Sequence, residues 1–315
     1  DSIGAGFIYT STVALFRRNN EFASSATTVA QDLATGNEVG RYNSQSENVN
    51  KNQGFNVNAR LQFRFGEGHA LVLMPMVILN ESDGRSLGLR DTLVGTPEFA
   101  TAQGKSDGRF TMLRLNSQYN RLLQGGTRVE ARLNAGKHRW RGGNQSEQLD
   151  AAGLPVRSIS NNTDWRDNNV SLNSKATKLF AENHNVVAGM ELESNQRDET
   201  RVTLINGLAP AVLDDFGEDL MSSTRRAAFY IQDEWNINPQ WGAHAGIRWE
   251  GIQTRGSGVD GATVQNRSSV ATPLLHAVYK LDAKKRDQIR VSLTRSYRTP
   301  TLAQLVDYLR SQCQV

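Results

Sequence analysis

The chain has 315 residues, 38% of them hydrophobic, with 36 basic and 32 acidic side chains and a formal charge of +4. The mixed charge carries no nucleic-acid footprint, and no apolar run approaches the roughly 18 residues that a spanning helix needs. A single cysteine, Cys313, excludes an intrachain disulfide framework and a Cys-based zinc site.

Taken in order, Ile3, Ala5, Phe7, Tyr9, Ser11, Val13 and Leu15 form an alternating apolar face that Arg17-Arg18-Asn19-Asn20 ends. That period predicts a strand. Residues 21–52, rich in Ser, Thr, Asn and Gln, keep no period and predict a long loop. The clearest strand follows, with Phe55, Val57, Ala59, Leu61, Phe63 and Phe65 set against Asn56, Asn58, Arg60, Gln62 and Arg64. A tight turn at 66–69 leads into 70–79, apolar on both faces and interrupted by Pro75, which weakens its assignment as a strand.

The same sequence of features then repeats. A polar loop at 80–108 precedes paired strands at 111–120 and 128–135, a loop at 138–163 precedes strands at 169–176 and 186–193, and a loop at 195–223 precedes the stretch 226–250. In that stretch Ala227, Phe229 and Ile231 alternate with Ala228, Tyr230 and Gln232. After the turn at 236–240, Trp241, Ala243, Ala245, Ile247 and Trp249 alternate with Gly242, His244, Gly246, Arg248 and Glu250. A loop at 254–267, a strand at 269–281, a turn at 282–287 and a strand from Ile289 complete a series of about eleven strands.

Short turns alternate with long polar stretches, and Trp235, Trp241 and Trp249 edge the apolar face of the hairpin at 226–250. A membrane β-barrel has this pattern: an apolar outer band, aromatic girdles, a polar lumen, short periplasmic turns and long external segments. The short turns are then periplasmic and the segments at 21–52, 80–108, 138–163, 195–223 and 254–267 external. A soluble antiparallel sheet with one wet face is the alternative. Closed single-chain barrels have even strand numbers and leave no unpaired edge in hydrocarbon. An odd count, a first segment (1–7) with no export signal pattern and a last segment (305–315) with no alternation lead us to expect a mature or truncated chain, residues 1–315 being a partial transmembrane barrel.

YIQDEW at 230–235, GIRWE at 246–250, Gly189-Met190-Glu191 after His184-Asn185, and SYRTPTLAQL at 296–305 together resemble the barrel domain of TonB-dependent outer-membrane receptors. The resemblance covers the chain as the first half of a barrel. It implies an all-β, 22-stranded transmembrane barrel in the bacterial outer membrane, filled by an N-terminal plug that this chain lacks. It also implies uptake of an iron-siderophore-type ligand energised through the TonB complex by way of that plug. Haem, cobalamin or an oligosaccharide are alternative ligands within the same family. The implied partners are outer-membrane lipid, the TonB complex and the iron chelate.

Alternation sets Arg60, Arg114, Arg132, Arg248 and Arg290 on the polar face, where carboxylates such as Glu130, Glu191 and Glu250 are partners for a lumen network or a plug, or simply for one another. Arg298, in the Tyr297-Arg298-Thr299-Pro300 segment, stands where the ladder ends, because Pro300 has no N–H to donate. His138, Arg139, Trp140, Arg141, Trp165, Arg166 and Arg201 are candidate ligand contacts on loops, since Arg and aromatic side chains suit a large anionic chelate. His138 is the candidate if the ligand is haem, and 138–141 reads equally as an interfacial anchor with snorkelling arginines.

The five histidines are scattered without metal-ligand spacing, and no cofactor is called for. A small barrel hydrolase is the rival from another class. It lacks a G-x-S-x-G, and its adjacent acidic pairs at 214–215 and 233–234 would point to opposite faces of a strand. A soluble β-sandwich binding module is the third reading.

Overall fold

The computed structural model describes residues 6–210, 219–257, 263–281 and 287–294. They form eleven strands: β1 (Phe7–Gln31), β2 (Glu38–Gly66), β3 (His69–Val94), β4 (Thr101–Leu122), β5 (Arg128–Leu149), β6 (Pro155–Phe180), β7 (His184–Ile205), β8 (Asp219–Asn236), β9 (Trp241–Ser257), β10 (Thr263–Lys280) and β11 (Gln288–Thr294). All join in one antiparallel sheet in sequence order, with β1 and β11 at its edges. The fold is the all-β meander that the alternation predicts.

Cross-strand partners share a face, so the register assigns every side chain a side. One ladder row runs Leu61–Leu73–Ser117–Leu133–Leu172–Leu192–Ala227. A parallel row runs Met190–Phe229–Trp249–Ala271. These rows carry the apolar face without interruption from β2 to β10. No described residue covers it: Leu15 is 81% exposed, and Ile231 and Ile247 are each 52% exposed. The three apolar side chains buried among the described residues, Val72, Val187 and Ala228, lie instead on the opposite, polar face. A sheet with its apolar face bare needs another apolar phase against it, and a bilayer supplies one.

The ladder also fixes the tilt. Starting from His69, the first residue of β3, successive partners are Arg121, Val129, Ala176, Ala188, Ile231 and Ile247, the last of these lying six positions beyond the start of β9. The row climbs about one residue per strand. With a rise of about 3.3 Å per residue and a strand spacing of about 4.8 Å, that is a tilt of roughly 35°, within the barrel range.

The polar segments at 21–52, 80–108, 138–163, 195–223 and 254–267 correct the sequence reading. They are not loops. β1 and β2 stay paired from Arg17–Gln53 out to Gln31–Glu38, and the connection itself is only the turn at 32–37. Beyond the apolar band both faces of a hairpin meet water, so the apolar alternation that marks a strand disappears while the backbone ladder continues. From β1 to β6, where every connection is described, the asymmetry between rims lies in how far the hairpins project rather than in loop length. At Pro75 the β2–β3 pairing passes from Asn58–Met76 to Leu61–Leu73, and the β3–β4 pairing continues through Pro75–Leu115. The proline interrupts one ladder locally because it has no N–H, and the strand persists.

Candidate functional site

The polar face forms two tiers. The lower, on β7 to β9, is a charge network built from side chains that alternation turns inward. Arg226 Nη2 lies 2.8 Å from Glu193 Oε2, and its Nη1 lies 3.3 Å from Glu191 and 3.5 Å from Glu250. Arg248 Nη2 lies 2.7 Å from Glu191 Oε2 and 3.0 Å from Glu250 Oε2. Three carboxylates share two guanidinium groups, so the network carries one net negative charge. Tyr230 completes its wall. The phenol end of its ring lies against Gly189, where a Cβ would meet the ring and, at 2.8 Å, the Ser174 carbonyl.

The upper tier stands on β4 to β7, above the apolar band. Phe110, Trp140 and Trp165 occupy one ladder row. Phe110 and Trp165 are 6.2 Å apart between ring centroids, and Phe110 and His138 are 6.5 Å apart. Arg197 lies over the Trp165 ring at 5.0 Å and donates to Asp167 at 2.7 and 2.6 Å. Trp140 lies along Gly108 and Gly142, where added Cβ atoms would collide with its ring or come within 3.1 Å of it. The glycines let the indole lie close against the sheet. Arg201 extends the tier, paired with Glu199 at 3.0 Å. Flat aromatic faces beside guanidinium groups whose charge is already balanced can hold a broad, delocalised ligand by stacking and hydrogen bonding.

The structure therefore sorts the sequence candidates by face. His138, Trp140, Trp165 and Arg201 face inward, whereas Arg139, Arg141 and Arg166 face outward. All seven lie on strands rather than loops. The three outward arginines gather on Asp164, at 2.7, 3.2 and 3.8 Å respectively. His138 Nε2 has neither solvent access nor a hydrogen-bond partner among the described residues.

Of the polar-face candidates, Glu191, Arg248 and Glu250 come together. Arg60 reaches Met74 Sδ at 3.8 Å, Arg114 donates to Asn116 at 3.2 Å, and Arg132 and Arg290 stand on the same face away from the network. Glu130 pairs with Lys175 at 3.2 Å instead of with an arginine. Arg298 lies outside the described residues. Sequence reasoning missed Phe110, Arg197, Asp167, Arg226 and Glu193. Extending the alternation beyond the predicted strands would have put Phe110, Asp167 and Arg197 on the inward face, and Glu193 and Arg226 already stood there within the strands at 186–193 and 226–250.

A family model described as TonB dependent receptor-like, beta-barrel matches residues 75–312. A search of curated sequences finds no match. Among solved structures, the ferripyoverdine receptor of the outer membrane of Pseudomonas aeruginosa, bound to ferripyoverdine, aligns over 92% of this chain and 42% of its own at 12% identity, TM-score 0.45. The unliganded ferric citrate transporter FecA aligns over 85% of this chain and 42% of its own at 14% identity, TM-score 0.40. The outer membrane protease OmpT of Escherichia coli aligns over 92% and 97% at 7% identity, TM-score 0.28. This chain thus spans about 42% of the length of the two receptors. Likenesses of this degree carry no argument between receptor and protease; the family whose model matches is one of outer-membrane transporters and receptors. The chain belongs to the family of TonB-dependent receptor β-barrels.

Proposed function

We propose that this chain forms part of an outer-membrane receptor that takes up an iron-siderophore-type chelate with energy delivered through TonB. Residues 1–315 are a partial barrel, and further strands and a plug complete it. The observation that carries the ligand reading is the inward tier of Phe110, Trp140 and Trp165 with Arg197 and Arg201, above the apolar band at the rim that this reading takes as external. Ferric chelates are large, flat-sided and frequently anionic, and aromatic faces with multidonor guanidinium groups suit them. Haem is less well served, because His138 does not offer Nε2 to the lumen.

The lower network is the docking surface for the plug on this reading. Its unmatched carboxylate calls for a cation from the partner surface, and a pair formed there is shielded from bulk water. Outer-membrane lipid covers the apolar face.

The test uses the receptor purified from outer membranes and follows quenching of its tryptophan fluorescence by ferric hydroxamate, ferric catecholate, ferric citrate, haemin and cobalamin. We expect saturable binding of one ferric chelate class, weakened about tenfold by Trp165→Ala, a loss of about 1.4 kcal/mol. Saturable binding of haemin or cobalamin alone overturns the choice of ligand. Equal affinity of wild type and Trp165→Ala for a bound ferric chelate overturns the assignment of the site.

A further inference from the structure

The outward face changes character immediately above the apolar band. On β8 the outward residues run Trp235, Asp233, Ile231, Phe229, Ala227 and then Arg225; on β9 they end Trp249, Gly251, Gln253 and Arg255; on β10, Ala271, Ser269 and Arg267. The ladder sets Arg225, Gln253 and Arg267 in one row, with Arg255 two positions further along β9. Neighbouring strands are about 4.8 Å apart and alternate residues about 7 Å apart, so three arginines surround one glutamine within a patch about 10 Å across. All three are exposed.

Their partners are few. With the Gln253 amide turned over, its carbonyl accepts from Arg255 Nη2 and Gln265 Nε2, both at 2.9 Å. Arg225 and Arg267 have no hydrogen bond or ion pair among the described residues. Between the Phe229–Trp249–Ala271 row and Met221, Ser257 and Thr263, no carboxylate faces outward on β8, β9 or β10. On β7, outward Asp198 is occupied by Gln196 at 3.3 Å. The other outward basic cluster differs: Arg139, Arg141 and Arg166 share Asp164, and Arg109 is paired with Glu81. That cluster sets two carboxylates among its four arginines, and each of those arginines has an ion pair.

Height places the triad. Trp235 and Trp241 mark the lower aromatic girdle. With a rise of about 3.3 Å and a tilt of about 35°, Arg225, Arg267 and Arg255 stand roughly 15, 19 and 25 Å above the bilayer midplane. Headgroup phosphates begin just beyond a half-thickness of about 15 Å. Guanidinium groups bind phosphate oxygens bidentately, and the stacked Phe229–Trp249 pair, with ring centroids 6.1 Å apart, lies beneath to meet acyl chains. We propose that Arg225, Arg255 and Arg267 form a specific site on the barrel exterior for the phosphate groups of a phosphorylated glycolipid of the outer leaflet. The partner is a lipid, because the site is continuous with the lipid-facing band and opens away from the lumen.

The test takes the receptor purified from outer membranes, delipidated in non-ionic detergent, and counts bound lipid by native mass spectrometry. The probes are bis-phosphorylated lipid A and the same lipid with its phosphates removed. We expect wild type to retain the phosphorylated form at least about tenfold better, with the preference falling steeply between low and high salt as exposed charges are screened. Arg225→Gln/Arg255→Gln/Arg267→Gln should abolish the preference, and Arg109→Gln should preserve it. Equal retention of the two lipids by wild type overturns the proposal, and this arm needs no variant to fold. An unchanged preference in the triple variant, or the same loss in Arg109→Gln, also overturns it.

Discussion

Ile231 is the outward residue whose replacement tests the orientation of the sheet most sharply. It lies four positions along β8 from Trp235, between Ala188 and Ile247 on the neighbouring strands. At about 3.3 Å per residue and a tilt of about 35°, this is roughly 11 Å above the aromatic girdle, close to the middle of an apolar band about 25 Å tall. An arginine at the midplane of a barrel's lipid face costs about 2–4 kcal/mol. Gln232, its neighbour, points to the lumen, where Gln232→Arg should cost less than about 1 kcal/mol. Urea titration of the complete receptor in phosphatidylcholine vesicles, read by tryptophan fluorescence, measures both. A cost for Ile231→Arg no greater than that for Gln232→Arg would refute the assignment of faces.

Further predictions concern the rest of the sheet. Phe63→Arg and Phe229→Arg, on the same outward face, should be penalised by the same titration in proportion to their depth. A double-mutant cycle on Arg248→Ala and Glu191→Ala should return a coupling of about 1 kcal/mol, because the pair is direct but partly exposed. Gly108→Ala should displace the Trp140 indole, altering the near-ultraviolet circular dichroism and weakening chelate binding while the barrel still folds. At the tip of the first hairpin, Asp32 accepts from the Ala34 and Thr35 amides at 3.0 and 2.8 Å, and these bonds, with the Thr35 hydroxyl, hold its carboxyl below the usual range. A depressed carboxylate stabilises the turn above its ordinary pKa and loses that contribution as pH falls through the lowered value. Exchange of the Thr35 amide, corrected for its intrinsic pH dependence, should therefore gain protection as pH rises through that window in wild type and show no such gain in Asp32→Ala.

What was legible in the sequence follows from which physical signal was available. Where one face meets lipid and the other water, as at 55–65 or 241–249, alternation has high contrast and the strand and its face can both be read directly. In 138–163 the contrast vanishes, so the end of β5, with Trp140, and the start of β6, which leads to Trp165, read as loop. The cost fell on the candidate site. Read as a loop, 138–141 seemed to present four side chains together; as a strand it splits them, His138 and Trp140 inward, Arg139 and Arg141 outward. The grouping of Glu191, Arg248 and Glu250 depends on long-range register, which β8 sets by pairing with β7 on one side and β9 on the other. The sequence could assign those side chains a face but not a height.

The most direct measurement is site-directed spin labelling along 229–232 in the complete receptor, in native outer membrane, with Cys313→Ser as background and accessibility to oxygen and to a water-soluble nickel chelate as the readout. The account predicts strict alternation: labels at 229 and 231 accessible to oxygen and shielded from nickel, labels at 230 and 232 shielded from oxygen. Nickel accessibility at 229 and 231, or no alternation along the segment, would contradict a sheet whose apolar face is turned to lipid.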